Sequence, residues 1–328
     1  MHLDLPDRWA NAAPHVLPVL RGPTAPANAW LWALDNADAI GVRRPIAPFL
    51  DVVIVLDLPE LRLFVNHGHL ERWGVTAPVV HAQAIENLPP TTGLKPWESH
   101  AGVWSLSAGD GYDSSRLALP RWLDAFADQV DGDPIAVVPD ARTLLITGTA
   151  SGEAAQAVLT EGWTRFHSAG TPISLSPYTT DGSGGIRPWT PSLDHPLVHR
   201  VQACHRFHAG HAYREQHQPL STWLGERRIA DHLAGYSMLR HATGRVVTFA
   251  VWPDGPALLP RVDLVALGPL GPDALTTHPC VTWGTLVEAG IIDEAEPGLA
   301  PDRYRVVQHP ADLDRWPRID PRSYQPVA

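Results

Sequence analysis

The chain has few of the residues on which secreted, membrane-bound and disulfide-rich proteins depend. Its 328 residues include two cysteines, Cys204 and Cys280, and one lysine, Lys95. Two cysteines cannot build a disulfide framework. The longest apolar run, residues 46–58, is interrupted by acidic residues and is too short to span a bilayer. Because the N-terminal residues also lack the features of a signal peptide, we expect a soluble, cytoplasmic protein with reduced thiols and no membrane partner.

Positive charge is also scarce. The chain has 25 Lys and Arg against 35 Asp and Glu, which gives a formal net charge of −10 at pH 7. Neutralisation of phosphates by Lys and Arg supplies most of the non-specific affinity for nucleic acids, so we expect no nucleic-acid partner. The standard catalytic signatures are missing as well, because the chain has no P-loop, nucleophile elbow, His-Glu-x-x-His or Cys-x-x-Cys.

The residues that are present predict a two-part α+β protein with mixed sheets and helices packed on one face. Hydrophobic residues make up 44% of the chain, which is enough for a sizeable core, and the length suits two domains. Strands and helices follow each other without strict alternation, which favours α+β. We expect an irregular N-terminal arm over residues 1–27, an α+β domain over 28–190, a linker over 177–194, and a smaller α+β domain over 191–328.

Local patterns predict the main elements of both domains. The β-branched segment Asp51–Asp57 is typical of a buried strand, and it should pair with residues 61–65. A helix is expected over residues 119–130, capped by a preceding serine. In the second domain we expect a long helix over residues 198–217 and antiparallel strands, including a hairpin around Thr243-Gly244.

Several segments of the first domain share their order and spacing with a known family. They are Asp51–Asp57, Leu70–Val75, Ala84–Leu88, Asp110–Pro120 and Val137–Leu145. Over residues 51–190 the chain resembles the uncharacterised YtpQ-like family of bacteria, a domain of unknown function. Its last motif reads Pro139-Asp-Ala-Arg142, where the family usually has Pro-x-Arg-Asp. The resemblance implies the fold of this domain and a cytosolic setting, and it implies no activity.

A polar segment before the predicted helix is the first candidate site. Hydroxyl, carboxylate and guanidinium groups at a helix start can hold a carboxylate or phosphate. The candidate ligand-binding residues are Tyr112, Asp113, Ser115, Arg116, Asp140 and Arg142. The alternative is a structural network in which Arg116 pairs with a neighbouring carboxylate such as Asp140.

A histidine-rich stretch, residues 195–217, is the second candidate site. On a helix, the metal-ligand types that fall within one stripe are Cys204, His208, His211 and Glu215. A thiolate, imidazoles and a carboxylate suit zinc. The four would span about 16 Å of helix axis at 1.5 Å per residue, so only two could reach one ion without ligands from elsewhere. The alternative is a helix face that packs on the core.

These observations favour a non-catalytic module that interacts with a protein or a small anionic ligand and needs no cofactor. The alternative is an enzyme. It would be either zinc-assisted at the histidine-rich helix or active on an anionic substrate held near Arg116.

Overall fold

The computed structural model describes residues 5–22, 41–88, 97–100, 102–106, 110–241, 243–269, 279–310, 316 and 324–326. It confirms the α+β class. The described residues form two compact units that divide between His205 and Arg206. The boundary expected at residue 190 therefore lies inside the first unit.

The first unit contains a four-stranded antiparallel sheet built around the apolar segment that the sequence singled out. Its strands are β1 (Val16–Arg21), β2 (Arg43–Ala47), β3 (Leu50–Leu58) and β4 (Leu61–Phe64). The expected pairing of the apolar segment with residues 61–65 is confirmed, because β3 and β4 form a hairpin. Alternate residues of β3, such as Val52 and Ile54, are fully buried in the core. The helices of this region are α1 (Trp9–Ala12), α2 (His67–Trp73) and α3 (Ala77–Asn87).

The prediction of an irregular N-terminal arm is wrong for its described residues, 5–22. After α1 and a 3₁₀ turn, β1 pairs with β3 over six residues, from Val16 to Arg21. Pro18 is tolerated because β1 forms an edge of this sheet, where the missing N–H breaks no ladder. The composition, rich in Pro and Ala, concealed this strand. Residues 1–4 and 23–27 of the expected arm lie outside the described residues.

A second sheet, with six strands, completes the first unit. Its strands are β5 (Trp97–His100), β6 (Val103–Leu106), β7 (Pro134–Asp140), β8 (Thr143–Gly148), β9 (Tyr178–Thr180) and β10 (Ile186–Pro188). They lie in the order β10-β9-β7-β8-β6-β5, and helix α4 (Gly152–Ser168) packs on β7 and β8. The expected linker over residues 177–194 is therefore wrong, since β9 and β10 form a hairpin at the edge of this sheet.

The helix expected over residues 119–130 does not form: a 3₁₀ turn over Ser114–Ala118 precedes this range, and a second over Leu123–Phe126 lies within it. Pro120 has no N–H and forces the residue before it into extended backbone. Arg121 then adopts a left-handed conformation with φ of 60°. These two residues stop the helical pattern that the apolar spacing indicated.

The long helix is confirmed and extends beyond its expected end. Helix α5 runs over Val198–Glu226 and includes Pro219. This proline leaves the carbonyl four residues earlier, on Glu215, without an intrahelical donor. The helix nevertheless continues beyond Pro219 to Glu226.

The second unit contains two small sheets. The three-stranded sheet comprises β11 (His232–Leu233), β14 (Ala257–Pro260) and β17 (Arg303–Val306). The five-stranded sheet comprises β12 (Ser237–His241), β13 (Val246–Trp252), β15 (Leu264–Leu267), β16 (Cys280–Thr282) and β18 (Tyr324–Pro326), and helix α6 (Trp283–Glu288) follows β16. The hairpin expected around Gly244 is confirmed.

The expectation that this unit has antiparallel strands is wrong for two pairs. β13 pairs in parallel with β15, and β11 pairs in parallel with β14. The chain between β13 and β15 passes through β14 in the other sheet. This crossover returns it in the same direction, which no local pattern in the sequence indicated.

Candidate functional site

The polar segment has an ion pair at its centre, in which Arg116 is buried and Asp110 is partly exposed. Arg116 is 2% exposed, and its guanidinium donates to both carboxylate oxygens of Asp110, Nη1 to Oδ1 at 3.2 Å and Nη2 to Oδ2 at 2.6 Å. Nη1 also lies 3.8 Å from Oδ1 of Asp113. The hydrogen bonds from Arg116 hold the pKa of Asp110 below its usual value, although partial burial opposes them. Arg116 is therefore committed to acids of its own segment.

The expected partner of Arg116, Asp140, is engaged elsewhere. Its Oδ1 accepts from the backbone N–H of Arg142 at 2.8 Å, and its Oδ2 accepts from the hydroxyl of Thr143 at 3.0 Å. Asp140 thus closes the turn between β7 and β8, and the Arg142 side chain is exposed. The two segments do meet, because the Ser114 hydroxyl donates to the carbonyl of Ala141 at 3.0 Å.

The remaining residues of the segment are buried as well. Tyr112 is 3% exposed, and Asp113 and Ser115 are also buried. The guanidinium carbon of Arg62 lies 4.6 Å from the centre of the Tyr112 ring, and burial raises the pKa of the Tyr112 hydroxyl. Arg62 is itself paired with Asp57, at 3.0 Å from Nε to Oδ1. The structure thus buries Tyr112, Asp113, Ser115 and Arg116 and does not place them on an open binding surface.

The structure does not bring the four candidate metal ligands together around one point. Cys204 and His208 are buried, whereas His211 is half-buried and Glu215 is exposed. Burial raises the pKa of the Cys204 thiol to about 11, which disfavours the thiolate that a metal needs. Among the described residues, no three His, Cys, Asp or Glu side chains are grouped so that they could hold an ion.

The residues that follow Arg116 in the chain line a cavity. It has a volume of about 310 Å³, and residues 117–120 form one wall. Arg44 and Ile46 of β2 form another, and the turn between β9 and β10 contributes Asp181, Gly184, Gly185 and Ile186. The Arg116–Asp110 pair and the two 3₁₀ turns therefore fix the backbone path of residues 117–120, which line the cavity.

Asp181 organises the turn at the cavity edge. Its Oδ1 accepts from the Ser183 backbone N–H at 2.8 Å, from the Ser183 hydroxyl at 2.9 Å, and from the Gly185 N–H at 2.9 Å. These bonds, those from Ser183 first, lower the pKa of Asp181. A side chain at residue 185 would place its Cβ 2.6 Å from Asp181 Oδ2 and would displace this carboxylate.

Arg44 and Asp181 were not predicted as site residues. Asp181 lay in the segment taken for a linker, although Asp-Gly-Ser is a typical sequence for a turn closed by an aspartate side chain. No local signal marks Arg44, because its place at the cavity depends on how β2 meets the β9–β10 turn.

Comparisons with known proteins supply no relative for this chain: no family model, no curated protein and no solved structure matches it. In the described part of the chain, no helix is both long and apolar enough to cross a membrane.

Proposed function

We propose that this protein is a non-catalytic module that binds a small ligand in the cavity between β2, residues 117–120 and the β9–β10 turn. The observation that carries the proposal is the cavity itself. Its volume of about 310 Å³ is at the lower end of the range of ligand sites, which are mostly apolar with a few polar groups. Its apolar walls and its two charged residues, Arg44 and Asp181, have this composition.

The rival in which Arg116 holds an anionic substrate has less support. A guanidinium that is 2% exposed and bonded to two carboxylate oxygens would have to give up its pair with Asp110 before it could bind a ligand, which would cost about 2–3 kcal/mol because Asp110 is partly solvated. The same argument makes the Arg116 pair a structural support. The resemblance to the YtpQ-like family and the cytoplasmic setting remain predictions.

The proposal is tested with a small branched-chain alcohol, isoamyl alcohol, as the probe. A molecule of this size in an apolar cavity should bind with a Kd of about 1 mM. We expect titration to shift the methyl NMR signals of Ile46, Leu117 and Leu119. Ala118→Phe, which fills the cavity wall, should abolish these shifts.

The matched control is Ala125→Phe, which places the same ring on an exposed position of the neighbouring 3₁₀ turn. It should bind the probe like the wild type. The proposal fails if no small probe shifts the three methyl signals, or if both phenylalanine variants bind equally well.

A further inference from the structure

Two opposite charges border the cavity. Arg44 lies on β2 and Asp181 lies at the end of β9, and both side chains are exposed. Within the described residues neither of them forms an ion pair. Two neighbouring arginines differ in this respect, because Arg43 is paired with Asp51 and Arg121 with Asp124.

The negative charge is held in place before any ligand arrives. Three hydrogen bonds to Oδ1 orient the Asp181 carboxylate. The second oxygen, Oδ2, lies beside Gly185, which also lines the cavity. A group fixed in this way loses little conformational entropy when it binds a partner.

Branched apolar side chains also line the cavity. Ile46, Leu117, Leu119 and Ile186 provide the apolar surface. A ligand with a single positive charge would be attracted by Asp181 but repelled by Arg44. A ligand with a single negative charge would be attracted by Arg44 but repelled by Asp181. Only a ligand with both charges satisfies both residues.

We propose that the ligand is a free amino acid with an apolar side chain. Its carboxylate would bind Arg44, its ammonium group would bind Asp181, and its side chain would lie against the branched wall. This inference rests on the proposed function, because it assigns a ligand class to the same cavity. It involves no chemical step and needs no cofactor.

The test compares four molecules that share the isobutyl group of leucine, at pH 7. Free leucine carries both charges, isocaproate lacks the ammonium group, isoamylamine lacks the carboxylate, and isoamyl alcohol is uncharged. Exposed ion pairs contribute up to about 1 kcal/mol. We therefore expect leucine to bind about fivefold more tightly than isocaproate or isoamylamine.

Two variants assign the charges to their residues. Arg44→Gln should remove the preference for leucine over isoamylamine and leave the preference over isocaproate. Asp181→Asn should do the opposite, because asparagine keeps the Oδ1 acceptor that holds the turn and loses only the charge. Arg187→Gln is the control, since Arg187 is exposed on β10 and does not line the cavity.

The outcomes separate this inference from the proposed function. If isoamyl alcohol binds as tightly as leucine, the amino-acid inference is overturned and the ligand cavity stands. If leucine keeps both preferences in both variants, the assignment to Arg44 and Asp181 is overturned. If none of the four molecules binds, the proposed function is overturned together with the inference.

Discussion

Replacement of Arg116 by methionine tests whether the polar segment is a structural support. The substitution keeps most of the aliphatic stem and removes the guanidinium. Arg116 is 2% exposed, whereas the side chain of Asp110 is 35% exposed and that of Asp113 is 7% exposed. After the substitution, water can solvate Asp110 in part, but the buried carboxylate of Asp113 loses the guanidinium that lies 3.8 Å away.

The exposures set the expected magnitude. Removal of one partner from a fully buried pair costs about 3–5 kcal/mol. Because Asp110 is partly solvated, we expect Arg116→Met to lower the free energy of unfolding by about 2–3 kcal/mol. The control, Arg142→Met, changes an exposed arginine at the adjoining turn and should stay within about 0.5 kcal/mol of the wild type.

The assay is urea unfolding of the wild type, both methionine variants, Asp110→Asn and the double variant. The cycle formed by Arg116→Met and Asp110→Asn should show a coupling energy of about 1–2 kcal/mol. If Arg116→Met is no less stable than Arg142→Met, the argument that Arg116 supports the fold is refuted.

The pH dependence gives the same experiment a second readout. Because the pKa of Asp110 is lowered in the native state, its carboxylate adds stability above its ordinary pKa of 3.8, and this stability is lost as the pH falls through the lower native value. The difference in stability between the wild type and Arg116→Met should therefore shrink on acidification below pH 4, about the ordinary pKa of an aspartate.

The other predictions concern buried groups. Burial, with the charge of Arg44 nearby, lowers the pKa of His81 to about 4. Because an unfolded histidine binds its proton already near pH 6.5, the wild type should lose stability as the pH falls from 6.5 to about 4. In urea unfolding, His81→Leu should reduce this dependence of stability on pH. Arg303 is fully buried and donates to Gln216 and two backbone carbonyls. Arg303→Met should therefore lower the free energy of unfolding, measured by calorimetry, by about 2–4 kcal/mol. A loss of stability no larger than that caused by replacing an exposed arginine would contradict this. Both cysteines are buried, with thiol pKa values raised to about 11; a thiol reagent should react slowly with the native protein and find two thiols in denaturant, and rapid native reaction would count against their burial.

Local patterns in the sequence determined the elements whose reasons are local. The β-branched run of β3 is a strand because it can bury both faces, and helices α4 and α5 follow from long periodic segments. The hairpin at Gly244 follows from its turn chemistry, since this residue has φ of 84°. The α+β class, which follows from the mixture of these elements, was predictable for the same reason.

Tertiary structure decided everything that depends on which segments meet. β1 is a strand despite Pro18 because it takes an edge position, and the expected linker became β9 and β10 because the edge of β7 accepts them. Arg116 pairs with Asp110 and not with Asp140, because both carboxylate oxygens of Asp140 accept hydrogen bonds within the β7–β8 turn. Arg44 and Asp181, far apart in the chain, border one cavity. Neither residue type nor spacing contains this information, because partners across space are selected by the packing of whole sheets and turns.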